Sequence, residues 1–63
     1  MMTREHAKVV LELEVERYLD LHYQGNVVMR DQIARQAMDL PLTIAEIKQA
    51  FRAADERIAA LAR

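Results

Sequence analysis

The hydrophobic positions of this chain recur at the three- and four-residue spacing of an α-helix, most clearly in its last third. Thr43-Ile44-Ala45-Glu46 fits a capping box, in which the side chains of Thr43 and Glu46 each bond the other residue's backbone amide. The pattern predicts a helix over about 43–62. Its apolar stripe is expected to supply the core, through Ile44, Ile47, Phe51, Ala54, Ile58 and Leu61.

A single long helix is predicted over about 3–23. Leu and Glu alternate over 11–16, which is typical of a strand, but about twenty residues without a break exceed the length of nearly all strands. Thr3 is a suitable N-cap, and Gly25 is a suitable left-handed residue for closing the helix.

The first helix is apolar on two sides. One face carries Ala7, Leu11, Val15, Tyr18 and His22, with Glu14 nearby in no assigned role. A helix that is apolar on two sides must be covered on two sides, so we expect a dimer or partner contact in addition to the core. The candidates for that contact are Val9, Val10, Leu13, Tyr18 and Leu21.

A second helix is predicted over about 29–38, because Met29, Ile33 and Ala37 recur at spacing four. Val27-Val28 before it is interpreted as an extended connector or a very short strand, and 39–42 as a turn around Pro41. The expected fold is all-α: one domain over 1–63, a three-helix bundle with a long first helix and a helix-turn-helix-like second half.

Composition excludes most catalytic chemistry. The chain has no cysteine and no serine, so neither nucleophile is present, and its one glycine rules out a glycine-rich phosphate loop. His6 and His22 lie about 24 Å apart on the predicted helix and cannot share a metal ion. We expect no catalytic residue, no metal, no cofactor and no small-molecule substrate, and therefore a protein that is not an enzyme.

The chain length points to association. With 63 residues and no disulfide, a lone monomer would be marginally stable, so a homodimer or a larger protein partner is expected. No apolar run reaches the roughly 20 residues of a membrane span, and no leader pattern opens the chain. These features favour a cytoplasmic protein that does not contact a membrane.

The second and third helices outline a helix-turn-helix, which makes DNA a candidate partner. The connecting turn lacks glycine, and Glu46 near the start of the third helix would repel phosphate. Residues 1–29 have a formal charge of −2 and residues 30–63 of +1, so neither half is strongly basic. The candidates for DNA contact are Arg30, Arg35, Lys48, Gln49 and Arg52.

The third helix also carries a family-like pattern. After Glu46-Ile47, the residues Phe51 to Leu61 combine an aromatic residue, two alanines, Asp, Arg and an aliphatic-Ala-x-Leu ending, with Leu42-Thr43 ahead of them. This stretch of about twenty residues resembles the third helix of the Hha/YmoA family, small helical bacterial modulators of gene expression that bind the nucleoid protein H-NS. The present first helix is longer and acidic, and Glu56 stands where that family usually has His. The resemblance implies that Asp55 and Arg57 contact a protein partner.

The sequence thus predicts a small non-enzymatic regulator of gene expression that acts by protein–protein contact, with direct DNA contact through the second and third helices as an additional feature. The alternative is a helical protein-interaction module, such as an inhibitor, an antitoxin-like partner or an assembly adaptor, with no nucleic-acid role.

Overall fold

The computed structural model describes residues 1–62. Within them the chain forms three α-helices and no strand: α1 spans Arg4–Tyr23, α2 spans Val27–Ala37 and α3 spans Ile44–Leu61. The predicted all-α, three-helix fold is therefore confirmed. The molecule measures 39 × 19 × 15 Å, and its long dimension is set by α1 and α3.

Both ends of α1 are closed by the signals that the sequence predicted. The hydroxyl of Thr3 accepts a hydrogen bond from the backbone N–H of His6 at 3.1 Å. At the other end, Gly25 adopts a φ of +78°, and its N–H bonds the carbonyl of His22 while that of Asn26 bonds the carbonyl of Leu21. This pair of bonds is a Schellman motif, which a glycine forms without steric strain.

Helix α2 begins two residues earlier than the predicted start at Met29, and the extended or strand interpretation of Val27-Val28 is wrong. Asn26 is the N-cap: its side-chain oxygen accepts from the N–H of Met29 at 3.1 Å. That bond satisfies one of the free amides of the first turn, and it outweighs the weak helix preference of two adjacent valines. The helix ends at Ala37 rather than Met38.

The capping box of α3 is present as predicted. The Thr43 hydroxyl accepts from the N–H of Glu46 at 3.1 Å, and Glu46 Oε1 accepts from the N–H of Thr43 at 3.2 Å. Arg4 also donates to the Glu46 carboxylate at 3.1 Å, which joins the first turns of α1 and α3. The hydrogen bonds from Thr43, and after them the one from Arg4, hold the pKa of the Glu46 carboxyl below its usual value.

Helix α1 is the central element, with α2 running back along it and α3 running forward along it. His22 meets Arg30 where α1 turns into α2, whereas Arg4 meets Glu46 at the opposite end of the molecule. The packing of α1 is closest against α2, looser against α3, and least between α2 and α3. The second half has the predicted order of helix, turn and helix, and its two helices lie side by side along α1 in opposite directions.

The core lies where the three helices face one another. Its most deeply buried large side chain is Ile47, at 1% exposure. The assignment of Ile44 and Leu61 to the core is wrong, because they are 59% and 65% exposed as the first and last residues of α3, where no neighbouring helix covers them. Ile58 is half-buried against the core. The buried residues are Ala7, Leu11, Tyr18, Leu21, Ile33, Ala37, Ile47, Phe51 and Ala54.

Candidate interaction surfaces

The side of α1 that faces away from α2 and α3 exposes large apolar side chains. Val9 and Leu13, one turn apart, are 56% and 59% exposed. We call Val9 and Leu13 the outer row. Val10, next to Val9 in the chain, is half-buried. Three of the predicted partner-contact residues, Val9, Val10 and Leu13, therefore have surface on which a partner can pack.

Tyr18 and Leu21 do not belong to that surface, which corrects their assignment as partner contacts. They are 6% and 8% exposed and lie in the core. The helical positions of both residues turn them toward α2 and α3 rather than outward. Contact with another chain requires exposed area, and these two side chains offer very little.

Tyr18 instead organises a polar contact across the bundle. Its hydroxyl donates a hydrogen bond of 2.6 Å to Oδ1 of Asp55, and its ring packs edge-on against Phe51 with the centroids 5.2 Å apart. Burial, followed by the hydrogen bond to Asp55, raises the pKa of the Tyr18 phenol to about 12. Asp55 is thus fixed to α1 and serves the fold, which leaves only part of its carboxylate for the partner contact that the family resemblance implies.

Arg57, the other residue taken from the resemblance, lies on the opposite side of α3 from Asp55. It is exposed and borders the seam between α1 and α3, close to Tyr23 and Leu61. A partner that lies flat on one side of α3 therefore cannot contact both charges equally.

Arg30 is held within the fold, which corrects its assignment as a DNA contact. Its guanidinium donates to Asp31 at 3.1 Å and to Nδ1 of His22 at 2.8 Å, and it stacks 5.3 Å from the centre of the Tyr18 ring. Its side chain is only 20% exposed. Arginine has no acceptor, so the facing nitrogen of His22 carries no proton in this contact. With three partners in place, Arg30 is not free to reach a phosphate.

The other DNA-contact candidates are exposed. Lys48, Gln49 and Arg52 share one side of α3, where they border a shallow depression with Ala45, Ala53 and Glu56. Arg35 is exposed on α2. Among residues 1–62, the side chains of Lys48, Gln49 and Arg52 make no hydrogen bond. Glu56 and Asp55 lie close to them, so this side of α3 has mixed charge rather than a basic surface.

Glu14 has a structural feature that the sequence did not predict. It lies in the cleft between α1 and α2, beside Arg17, Gln32 and Gln36. Its Oε2 is buried and has no hydrogen-bond partner within residues 1–62. The one sequence signal was a carboxylate placed next to an apolar helix face, and only the position of α2 shows that one of its oxygens is covered.

Replacing Glu14 by leucine is expected to stabilise the fold. An unpaired buried oxygen costs about 1 kcal/mol or more, and leucine removes it while keeping high helix preference. We expect the midpoint of thermal unfolding to rise by about 4–8 °C. Glu56→Leu, which removes the same charge from an exposed position of α3, is the control and should change the midpoint little. Equal midpoints for the two variants would contradict the cost assigned to Glu14.

The described part of the chain holds no group of three or more metal-binding side chains, and none of its helices is long and apolar enough to cross a membrane. Comparisons with protein-family models, curated proteins and solved structures gave no match to this chain. Function must therefore be inferred from the exposed surfaces of the three helices.

Proposed function

We propose that this protein is a small non-enzymatic module that binds another protein chain through the outer row of α1, and that it forms a homodimer in this way. The observation that carries the proposal is the exposure of Val9 and Leu13, at 56% and 59%, on adjacent turns of the longest helix. Two large aliphatic side chains exposed on one helix face are a typical contact surface for a second helix.

The size of the core supports the same proposal. Three of the nine buried residues are alanines, and most of the larger ones keep 6–9% of their surface in water. A chain of 63 residues with so small a core is marginally stable alone, and burying the outer row against a second chain adds apolar contact.

Regulation of gene expression is the biological role that we propose for this binding. Its support is the resemblance of the segment around α3 to the Hha/YmoA family, in which small helical proteins act by binding another protein. The exposure of Arg57 keeps one of the two implied contacts available. The alternative, an interaction module with no connection to nucleic acid, uses the same outer row and differs in the identity of its partner.

Sedimentation equilibrium tests the homodimer. The wild-type protein should sediment at twice the chain mass at micromolar concentration, and Leu13→Asp should sediment as a monomer because the dimer would bury a charge. Val28→Asp is the matched control, since Val28 is 72% exposed in the first turn of α2, away from the outer row. A monomeric wild-type protein, or equal loss of the dimer in both variants, would contradict the proposed surface.

Direct DNA binding is a second candidate function, favoured by the exposed group of Lys48, Gln49 and Arg52 on α3. The carboxylate of Glu46, which would repel phosphate, is paired with Arg4, whose positive charge partly offsets it. Lysine, glutamine and arginine side chains bind phosphates and base edges when one helix presents them together.

A gel-shift series tests this second function. Arg52→Ala should weaken duplex binding and lower the slope of log affinity against log salt by about one, because one phosphate contact is lost. Arg57→Ala, which removes the same charge from the other side of α3, should leave the slope unchanged. Absence of any shifted duplex at about 50 mM salt would exclude direct contact with DNA.

A further inference from the structure

A groove follows the seam between α1 and α3, which is the looser of the two seams that α1 forms. Near the start of α3 its volume is about 570 Å³, and its floor is made by Leu11, Val15 and Ala50. The small side chain of Ala50 leaves a depression above Leu11 and Val15, and its base is apolar. An apolar side chain from another molecule fills such a depression more favourably than water does.

The depression continues along the same seam toward the end of α3. Its second part is bordered by Leu19, Tyr23 and Leu61, and both parts share Glu16. We call the two parts together the α1/α3 groove. Between Lys8 and Tyr23, helix α1 rises about 22 Å, so the groove has the length of about fifteen residues of a docked helix.

The α1 wall of this groove is acidic. Glu12, Glu16 and Asp20 are exposed and follow one another at spacing four, so they form a line of carboxylates about 6 Å apart. Two cations also line the groove: Lys8 near Glu12 and Glu16, and Arg57 near Glu16 and Asp20. The three wall carboxylates outnumber these two cations, and within residues 1–62 none of the three forms a salt bridge, so the wall keeps net negative charge.

We propose that the α1/α3 groove binds an amphipathic helix of a partner protein, with that helix's apolar side chains in the groove and its Lys or Arg residues facing Glu12, Glu16 and Asp20. An amphipathic helix in an apolar groove is a recurrent mode of recognition, and complementary charge at the edge selects which helix binds and in which direction. Bound in this way, the partner helix completes a four-helix arrangement around the open side of the bundle.

A second copy of this chain is a poorer occupant of the groove. The outer row of α1 is accompanied by Glu16 and Asp20, which would repel the acidic wall. The exposed side of α3 offers cations but only alanines as apolar residues, at Ala45 and Ala53. The proposal goes beyond self-association through the outer row and does not depend on it, because Leu13 and Val9 lie outside the groove.

The probe is a synthetic amphipathic helix of about eighteen residues, with leucines on one face and lysines on its flanks. Titrated into the 15N-labelled full-length protein, it should shift the amide signals of Leu11, Val15 and Ala50 with a micromolar dissociation constant. A scrambled peptide of the same composition, which has no apolar face, should not produce these shifts. A peptide that leaves these signals in place, or that shifts them no more than the scrambled one, would overturn the proposal.

Matched variants separate the groove from general attraction between opposite charges. Ala50→Arg fills the groove and should weaken peptide binding more than tenfold, whereas Ala59→Arg, on the other side of α3, should not. Glu12→Gln with Glu16→Gln should weaken binding about fivefold, and Glu5→Gln with Glu56→Gln, the same charge change outside the groove, much less. These glutamates are exposed, so their variants remain informative even if Ala50→Arg is poorly folded.

Two outcomes of the variants would count against the groove. If both pairs of glutamine substitutions weaken peptide binding equally, the peptide responds to the net charge of the protein and not to the groove. If Ala50→Arg converts a wild-type dimer into a monomer while Leu13→Asp does not, the groove is occupied by a second copy, which overturns both the partner helix and the outer-row dimer. Loss of the dimer in Leu13→Asp alone leaves the groove proposal standing, so the two proposals fail separately.

Discussion

The Ile47→Ala variant is expected to be largely unfolded at 25 °C and neutral pH. Ile47 is 1% exposed and lies where α3 meets the other two helices. Replacing a fully buried isoleucine with alanine lowers the free energy of unfolding by about 2–5 kcal/mol, because apolar burial is lost and a cavity remains. A single core in a chain of this size supplies about 3–5 kcal/mol in total, so the loss is comparable with the whole free energy of unfolding.

Ile44→Ala is the matched control for this variant. The residue type, the helix and the substitution are the same, but Ile44 is 59% exposed at the first position of α3. Its midpoint in urea should stay close to that of the wild type, while helical circular dichroism of Ile47→Ala is already low without urea. The comparison must be made at one protein concentration, because self-association adds to the apparent stability. Similar urea midpoints for the two variants would contradict the assignment of Ile47 as the central core residue.

This pair of isoleucines also shows what periodicity can and cannot predict. The spacing of three and four residues identified the apolar face of α3 correctly, and Ile47, Phe51 and Ala54 on it are buried. It did not show where neighbouring helices end, so Ile44 and Leu61 on the same face are exposed. Which turns of a helix are covered depends on the lengths and positions of the neighbouring helices, and the pattern within one helix contains no such information.

Helix ends were predictable wherever a residue close in sequence makes the stabilising bond. Thr3, Gly25 and the pair Thr43 and Glu46 act on backbone groups within three residues, and the structure has each bond. The start of α2 was harder to predict although Asn26 caps it by the same kind of bond, because the two valines after it favour extended backbone. The cap decides the outcome here, since it satisfies an amide that would otherwise be free.

The surfaces were harder to predict than the fold. A helical wheel correctly showed that α1 has more apolar surface than one face, and Val9 and Leu13 are exposed as expected for a contact residue. The roles of Tyr18 and Arg30 could not be predicted from a helical wheel. Tyr18 of α1 bonds Asp55 of α3, and Arg30 of α2 contacts His22 and the Tyr18 ring of α1. These groups meet only after the three helices have packed. Polar groups that join distant segments leave no spacing pattern in the sequence.

The contact between Tyr18 and Asp55 predicts a loss of stability in alkali. The pKa of the Tyr18 phenol is raised from 10.0 to about 12 in the folded protein, first by burial and then by the hydrogen bond to Asp55. Below pH 10 the phenol is protonated in both states, and the stabilisation is complete. Between pH 10 and about 12 the unfolded chain releases this proton and the folded chain keeps it, so the free energy of unfolding falls as pH rises. The fall amounts to at most about 2 kcal/mol by the upper end of that window, because water screens part of the shift.

Urea unfolding of the wild type, Tyr18→Phe and Tyr23→Phe at a series of pH values measures this loss. Tyr18→Phe lacks both the phenol and the bond to Asp55, so it should be about 1–2 kcal/mol less stable at neutral pH. Its further loss between pH 10 and 12 should be smaller than that of the wild type. Tyr23, at 58% exposure, provides the same substitution at the surface, and Tyr23→Phe should follow the wild-type curve. If the Tyr18→Phe and wild-type curves instead fall in parallel above pH 10, the alkaline transition arises from other groups and the buried phenol does not control it.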